Sequence, residues 1–367
     1  VRAAAWPREA PLDDRLLVLD PLAAARNPRA RAWRDARVRD LAGILRRGDL
    51  LVLNDAGTVP ASLRARTAAG DAVEIRLAAR LDDERWRAAL LGAGDWHTRT
   101  EDRPPPPAVR LGDTLRIGPE LAAVVEQIDA ERPRLLLLRF SARGSLLWSA
   151  LYRHGRPVQY AHVARDLDLW HVQTPFAARP WAVEMPSAGR PLTNALLAEL
   201  RAHGVRLATL THAAGLSSTG DLAIDAALPL PERFDVPAAT VTAVAETHAA
   251  GGRVVAAGTT VVRALEGSAR LHGGELVAGE GTTDLRIDAR LTPWIVDGLL
   301  TGLHELGTSH RELVQAFAPE ALLARSWAHA EARGYLDHEF GDECLVLRGA
   351  LSAPDVALDD VPASLTA

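Results

Sequence analysis

The apolar positions of this chain fall into three textures. Leu16, Leu17, Val18 and Leu19 lie in a charged frame from Asp13 to Asp20 and predict a short strand, while Val38, Leu41 and Leu45 recur at helical spacing between Arg37 and Arg46. Gly48-Asp49 breaks that helix, and the apolar run Leu50 to Leu53 predicts a buried strand ending in Asn54-Asp55-Ala56-Gly57. From about Val59 to Ser149 short alternating segments take over, such as Val73 to Leu77, Trp86 to Leu91, Thr114 to Ile117 and Leu135 to Phe140. Their spacers are rich in Gly, Asp and Pro, and Pro104 to Pro107 suits only an extended link. This second texture predicts a small antiparallel β-barrel inserted into the chain.

The third texture alternates helix and strand. Thr193 can cap a helix carrying Leu196, Leu197 and Leu200 on one face, Gly204 ends it, and Val205 to Leu210 continues as a strand into Thr211-His212-Ala213-Ala214-Gly215. A second unit of the same length starts at Pro237, carries Val241 and Val244, and ends at Gly251-Gly252. It runs into Arg253 to Glu266, where Val254 and Val255 suit a strand, Val261 onward suits a helix, and Gly258-Thr259-Thr260 forms the corner between them. At such a corner free helix amides, a glycine and two hydroxyls face the crevice beyond the strand's carboxyl end. The plainer reading is a tight turn with Thr260 as helix N-cap. If the two strands are parallel neighbours, His212 and this corner share one sheet edge. Ser309 with Glu312 fits a capping box for a helix to Phe317, Pro319 to Gly334 frames another, and Glu343 to Leu347 predicts a closing strand.

With 367 residues, 48% hydrophobic and 24% charged, the chain has the length of two domains. Its single cysteine, Cys344, allows neither an internal disulfide nor a Cys-based zinc site, and a reducing compartment is the expectation. No apolar run approaches the roughly 20 residues of a membrane span, and the first residues lack a signal-peptide core, so a cytoplasmic protein is expected. A net charge of −5 argues against bulk attraction to nucleic acid but leaves room for a local basic patch.

Eight motifs, in order, resemble the S-adenosylmethionine:tRNA ribosyltransferase-isomerase family of queuosine biosynthesis. They are Arg15 to Asp20, Gly48 to Asp55, Gln173-Thr174, Pro186-Ser187-Ala188-Gly189, Gly258 to Glu266, Thr283-Asp284, Val296 to Thr301 with His304, and Tyr335 to Asp342. The resemblance implies an α/β fold: an open α/β sheet domain built from both chain ends, residues 1–58 plus 153–367, with an inserted antiparallel β-barrel at 59–152. It implies transfer of the ribosyl part of S-adenosylmethionine, a co-substrate, onto the aminomethyl group of a 7-deazaguanine base in tRNA. Adenine and methionine leave, and no metal is invoked. Carried onto this sequence, the expected catalytic residues are His212, His304 and Asp284. Gly258, Thr259, Thr260, Arg263, Asp297 and Thr301 are expected to hold S-adenosylmethionine, and Asn54, Asp55, Gln173, Thr174, Ser187, Gly189 and Thr193 the acceptor. Each has a plainer reading: Asp284 and Asp297 suit turn caps, His304 suits packing beside Trp294, and Asn54-Asp55 suits a turn.

Several site-like motifs depart from the family pattern. Its histidine after Pro-Ser-Ala-Gly is absent, replaced by the run Arg190-Pro191-Leu192-Thr193; the arginine two residues after Asn-Asp is Gly57. Met-His-Ser-Glu has become Leu230-Pro231-Glu232, and a Phe-Phe pair is Asp337-His338; for the polar run Asp337-His338-Glu339 a solvated face is the plainer account and a changed substrate contact the alternative. A small-molecule acceptor in place of tRNA, or a catalytically dead binding module, are the alternatives these changes raise.

Overall fold

A computed structural model describes residues 1–351 of the chain. Nine strands make its central sheet, labelled here in chain order: β1 Arg15–Leu19, β2 Trp33–Arg37, β3 Leu50–Asn54, β4 Arg206–His212, β5 Glu232–Val236, β6 Val254–Ala257, β7 Gly279–Thr283, β8 Gly298–Gly302 and β9 Glu343–Leu347. They lie in the order β7-β5-β4-β3-β6-β8-β9-β1-β2. The middle four, β4, β3, β6 and β8, are mutually parallel. The runs of β3 and β6 are apolar on both faces because both faces are covered. Leu50, Val52, Val254 and Ala256 enter one core with Val261 and Leu265 of helix α3, Thr259–Leu271. The alternate residues Leu51, Leu53, Val255 and Ala257 enter another with Leu196, Leu197 and Leu200 of helix α1, Asn194–Ala202. Period-2 alternation is thus satisfied twice over.

The two helix-strand units differ from expectation in one respect. Their strands are parallel, but β3 lies between β4 and β6 and pairs with both. An apolar strand such as Leu50–Asn54, buried at every position, needs a partner on each side. Two local expectations also change. Residues 37–46 hold only a 3-10 turn at Val38–Asp40 and a short helix at Leu41–Ile44, after which Leu45 turns extended. The helix Ser309–Val314 is capped by Thr308, whose side chain accepts from the Arg311 amide.

Strands Ser62–Arg66, Ala72–Arg80, Arg85–Leu91, Leu135–Phe140, Ala122–Ile128 and Thr114–Arg116 pair antiparallel in that order, and the Arg66–Arg116 pair closes the ring. The closed antiparallel barrel beside the α/β sheet is the predicted fold class. Its core, with Leu63, Ile75, Trp86, Val125 and Phe140, also takes in Leu216, Ile224, Leu228 and Leu230. Those four follow β4, so the barrel packs against the segment leaving the sheet's carboxyl edge. Among the described residues no helix is long and apolar enough to cross a membrane.

One buried carboxyl gives a stability prediction. Glu343 opens β9 at 5% exposure, and its Oε2 has no hydrogen-bond partner among the described residues. Burial, and then Asp14 and Asp342, push its carboxyl from 4.5 up to about 8. In that window the folded chain keeps a proton that the unfolded chain has released. The Glu343 contribution is therefore most favourable below 4.5 and is lost as pH rises towards 8. Glu343→Gln has no proton to lose, so its advantage over the parent is expected to grow by about 1.4 kcal/mol per pH unit across the window. Urea denaturation at about pH 5 and about pH 7 measures this; an advantage independent of pH refutes it.

Candidate active site

All four parallel strands deliver residues to one edge. Gly258 follows β6 with φ of +103° and is the N-cap of α3, without a side-chain cap bond, so the first amides of the helix are left for another partner. The Thr260 N-cap reading is therefore corrected: both threonines lie inside the helix. Asn54, at the end of β3, binds the corner to β4. Its Nδ2 donates to the His212 carbonyl at 3.0 Å and to Thr260 Oγ1 at 3.1 Å, and its Oδ1 accepts from the His212 and Ala56 amides. Thr260 keeps its own O–H to donate. From β8 come Thr301 and then His304, whose Nε2 lies 2.8 Å from Thr301 Oγ1.

These groups meet in a pocket of about 110 Å³ lined by Ser187, Gly258, Thr259, Thr260, Arg263, Thr301 and His304, with Glu184, Glu232, His310 and Glu312. It continues into a cleft of about 870 Å³ that shares Glu184, Ser187, His304 and His310 and is walled further out by Tyr160, His162 and His338. A charged cluster lies at the inner end. Arg263 forms a buried ion pair with Glu232, Glu232 Oε1 accepts from the Gly215 amide at 2.8 Å, and His212 Nε2 approaches Glu232 Oε2 at 3.4 Å. Burial and the Arg263 charge hold His212 well below its ordinary value. His304 and His310 stack with centroids 5.0 Å apart. Burial depresses both, His304 strongly and His310 to about 4, so two neutral imidazoles border the pocket at physiological pH. Glu184 accepts from Tyr160 Oη at 2.5 Å and Ser217 Oγ at 2.6 Å, and burial pushes its carboxyl up.

The remaining predicted residues are placed elsewhere. Asn54 has both donors and both acceptor positions used within the fold, which leaves nothing for an acceptor base. Asp55 accepts from Thr211 Oγ1, and Gln173 clamps the Thr58 backbone through both ends of its amide. Thr193 caps α1, and Gly189 is needed because a Cβ there would come within 2.8 Å of Phe176 Cζ. Thr174 is buried outside the pocket, and Asp284 is exposed and outside it. Asp297 precedes β8 at the opposite edge, where it accepts from the Val254 amide and faces His248. His212 lies behind the pocket wall at 0% exposure.

Local sequence had singled out neither Glu232 nor His310 as a site residue. Glu232 was the retained glutamate of an altered motif, and that was its only signal; His310 was hidden inside a reading of Ser309 and Glu312 as a cap. Of the departures from the family pattern, Gly57, Pro191, Leu230 and Pro231 lie outside the pocket and cleft, whereas Asp337 and His338 wall the cleft. Of the run, Asp337, at 2% exposure, is off the solvated face, Glu339 is half-buried and His338 is exposed.

Comparison with known proteins bears on what this edge serves. The S-adenosylmethionine:tRNA ribosyltransferase-isomerase of Acidithiobacillus ferrooxidans is 36% identical over 322 residues, covering 86% of this chain and 87% of that protein. The Thermus thermophilus protein of the same name is 36% identical, covering 85% and 88%. The crystal structure of an S-adenosylmethionine tRNA ribosyltransferase from Thermotoga maritima superposes with a TM-score of 0.50 at 27% identity, over 94% of this chain and 96% of that one. With likeness running through both the barrel and the sheet that carries the pocket, this chain belongs to the queuosine biosynthesis protein family, whose model matches residues 2–346.

Proposed function

We propose that the protein transfers and isomerises the ribosyl moiety of S-adenosylmethionine onto the 7-aminomethyl-7-deazaguanine base of a tRNA, releasing adenine and methionine and leaving epoxyqueuosine. The observation that carries this reading is the convergence of the family-like corner Gly258-Thr259-Thr260 with Thr301 and His304 in one pocket of a family member. The sulfonium makes the adjacent C5′ protons acidic, so a neutral imidazole at the wall suffices as acceptor. Glu312 and the carboxyl oxygens of Glu184 face a cationic ligand, while the charge of Glu232 is met by Arg263, and the uncapped start of α3 with the two threonine hydroxyls supplies donors for a carboxylate or ribose oxygens. The outer cleft, at about 870 Å³, has the volume to take an unstacked base beside the ribose.

The test is adenine release from S-adenosylmethionine with and without tRNA carrying the aminomethyl-deazaguanine base. Turnover that requires this tRNA and weakens with salt, as counterion release demands, supports the reading. Adenine release indifferent to tRNA overturns the acceptor. We further propose that residues 59–152 fold as a unit within a domain made of 1–58 and 153–367, of which 352–367 lie outside the described residues, since among the described residues the six ring strands pair only with one another and with Gly155–Arg156.

Placement of the ligand is tested at Gly258. A Cβ there has room, its nearest neighbours being Thr260 Oγ1 at 3.6 Å and Ala188 Cβ at 3.7 Å. The obstacle is the backbone, because a β-branched residue at φ of +103° is strongly disfavoured and must rotate the start of α3. Gly258→Val is expected to weaken S-adenosylmethionine binding at least about tenfold by calorimetry, equivalent to about 1.4 kcal/mol. Parental affinity in a folded variant would refute the placement.

A further inference from the structure

We infer that the outer wall of the cleft is a binding site for a divalent transition ion of the zinc class, held by His162, His338 and Glu339 with Asp337 and Glu305 beside them. Three separate segments bring these side chains together, and no stretch of sequence announces them. Ligand atoms of His162, His338 and Glu339 lie within 4.8 Å of one another, as do those of Glu305, Asp337 and His338, so His338 is common to two overlapping triads. His162 Nε2 is 3.0 Å from Glu339 Oε2, and His338 Nε2 is 3.7 Å from Asp337 Oδ1 and 3.8 Å from Glu305 Oε1. Two ligands of a tetrahedral zinc ion, each about 2.0–2.2 Å from the metal, are about 3.4 Å apart, so these spacings need only small adjustments.

A second observation points the same way. Asp337 is 2% exposed, and its Oδ1, the atom nearest His338, has no hydrogen-bond partner among the described residues. A buried carboxylate oxygen left unpartnered is costly, and a cation bound at His338, whose Nε2 is 3.7 Å away, would satisfy it. The imidazoles of His162 and His338 stack with centroids 4.3 Å apart, and His338 holds φ of +64°, the one positive value among the described non-glycine residues. Imidazole with carboxylate favours zinc, cobalt or nickel over magnesium or calcium, whose sites are built from oxygen alone. Because the five residues wall the cleft, the ion has a path to solvent.

The experiment titrates zinc into the full chain after chelator treatment, by calorimetry, with cobalt absorption as a second readout of the ligand set. The expected result is one equivalent bound with micromolar or tighter affinity. His162→Ala and His338→Ala, on different segments, each remove a direct ligand and should weaken binding by at least the roughly 10- to 100-fold that losing an outer-shell partner costs. His248→Ala, remote from the cleft beside Asp297, should leave it unchanged. Circular dichroism checks that each variant is folded. No saturable zinc binding by the parent, or zinc binding unaffected in both folded cleft variants, overturns the site.

Discussion

Glu232→Ala is expected to lower adenine release by at least about 10²-fold and to destabilise the fold by about 3–5 kcal/mol. Glu232 and Arg263 are each only 7% exposed and form an ion pair between β5 and α3. Burial pushes the Glu232 carboxyl up while Arg263 opposes that shift. Removing the carboxylate leaves a guanidinium in the interior whose Nη2 already lacks a partner among the described residues, and the Gly215 amide loses its acceptor. An unpaired buried charge is what makes breaking such a pair expensive, whereas replacing both partners by apolar groups is often mild. The double variant Glu232→Leu with Arg263→Met should therefore recover much of the stability but not the activity, because the pocket wall loses both its carboxylate and its guanidinium. Urea denaturation and adenine release at a temperature where each variant is folded separate the two effects. A Glu232→Ala protein within about 1 kcal/mol of parental stability would show that the pair is not the inner anchor of the site.

The motif Val296 to Thr301 shows how far sequence could be followed into the site. It was legible as one unit, yet its two polar residues face opposite ends of the sheet. A strand advances about 3.3 Å per residue, so the four steps from Asp297 to Thr301 span about 13 Å. Thr301 reaches the pocket, whereas Asp297 accepts from the Val254 amide at the far edge. Asn54 poses a different problem. A polar residue at the end of a buried strand suggests a ligand contact, but its four bonds go to β4, to α3 and to the short strand Ala56–Thr58. Of those partners Ala56 is local, but His212 and Thr260, 158 and 206 positions away in the chain, become neighbours only once the strand order is known. The barrel and the Gly258 corner were legible because period and turn chemistry are local. Glu232 and His310 were not, since their placement depends on which strands become neighbours.

His304→Ala is expected to reduce the turnover number for adenine release by about 10² to 10⁴. Two histidines were candidates from sequence, and the geometry separates their roles. His212 is fully buried behind Glu232 and does not line the pocket, so it can act only by positioning the Glu232–Arg263 pair. His304 lines both pocket and cleft, with its Nε2 fixed by Thr301 Oγ1. A neutral imidazole with one nitrogen engaged has the other to offer, so the ring can be oriented and reactive at once. Burial holds its pKa well below the usual 6.5, with His310, His338 and Arg311 adding to the effect. The sign follows directly: protonation disables an acceptor, and here protonation is shifted to lower pH. The acid limb of kcat/KM should therefore fall below the ordinary histidine range rather than within it. S-adenosylmethionine affinity in His304→Ala should stay near the parental value, because the lost group acts on a proton rather than on ground-state binding. Parental adenine release by a folded His304→Ala protein would exclude His304 as the acceptor and leave the carboxylates of the pocket, Glu184 first among them, to take the proton.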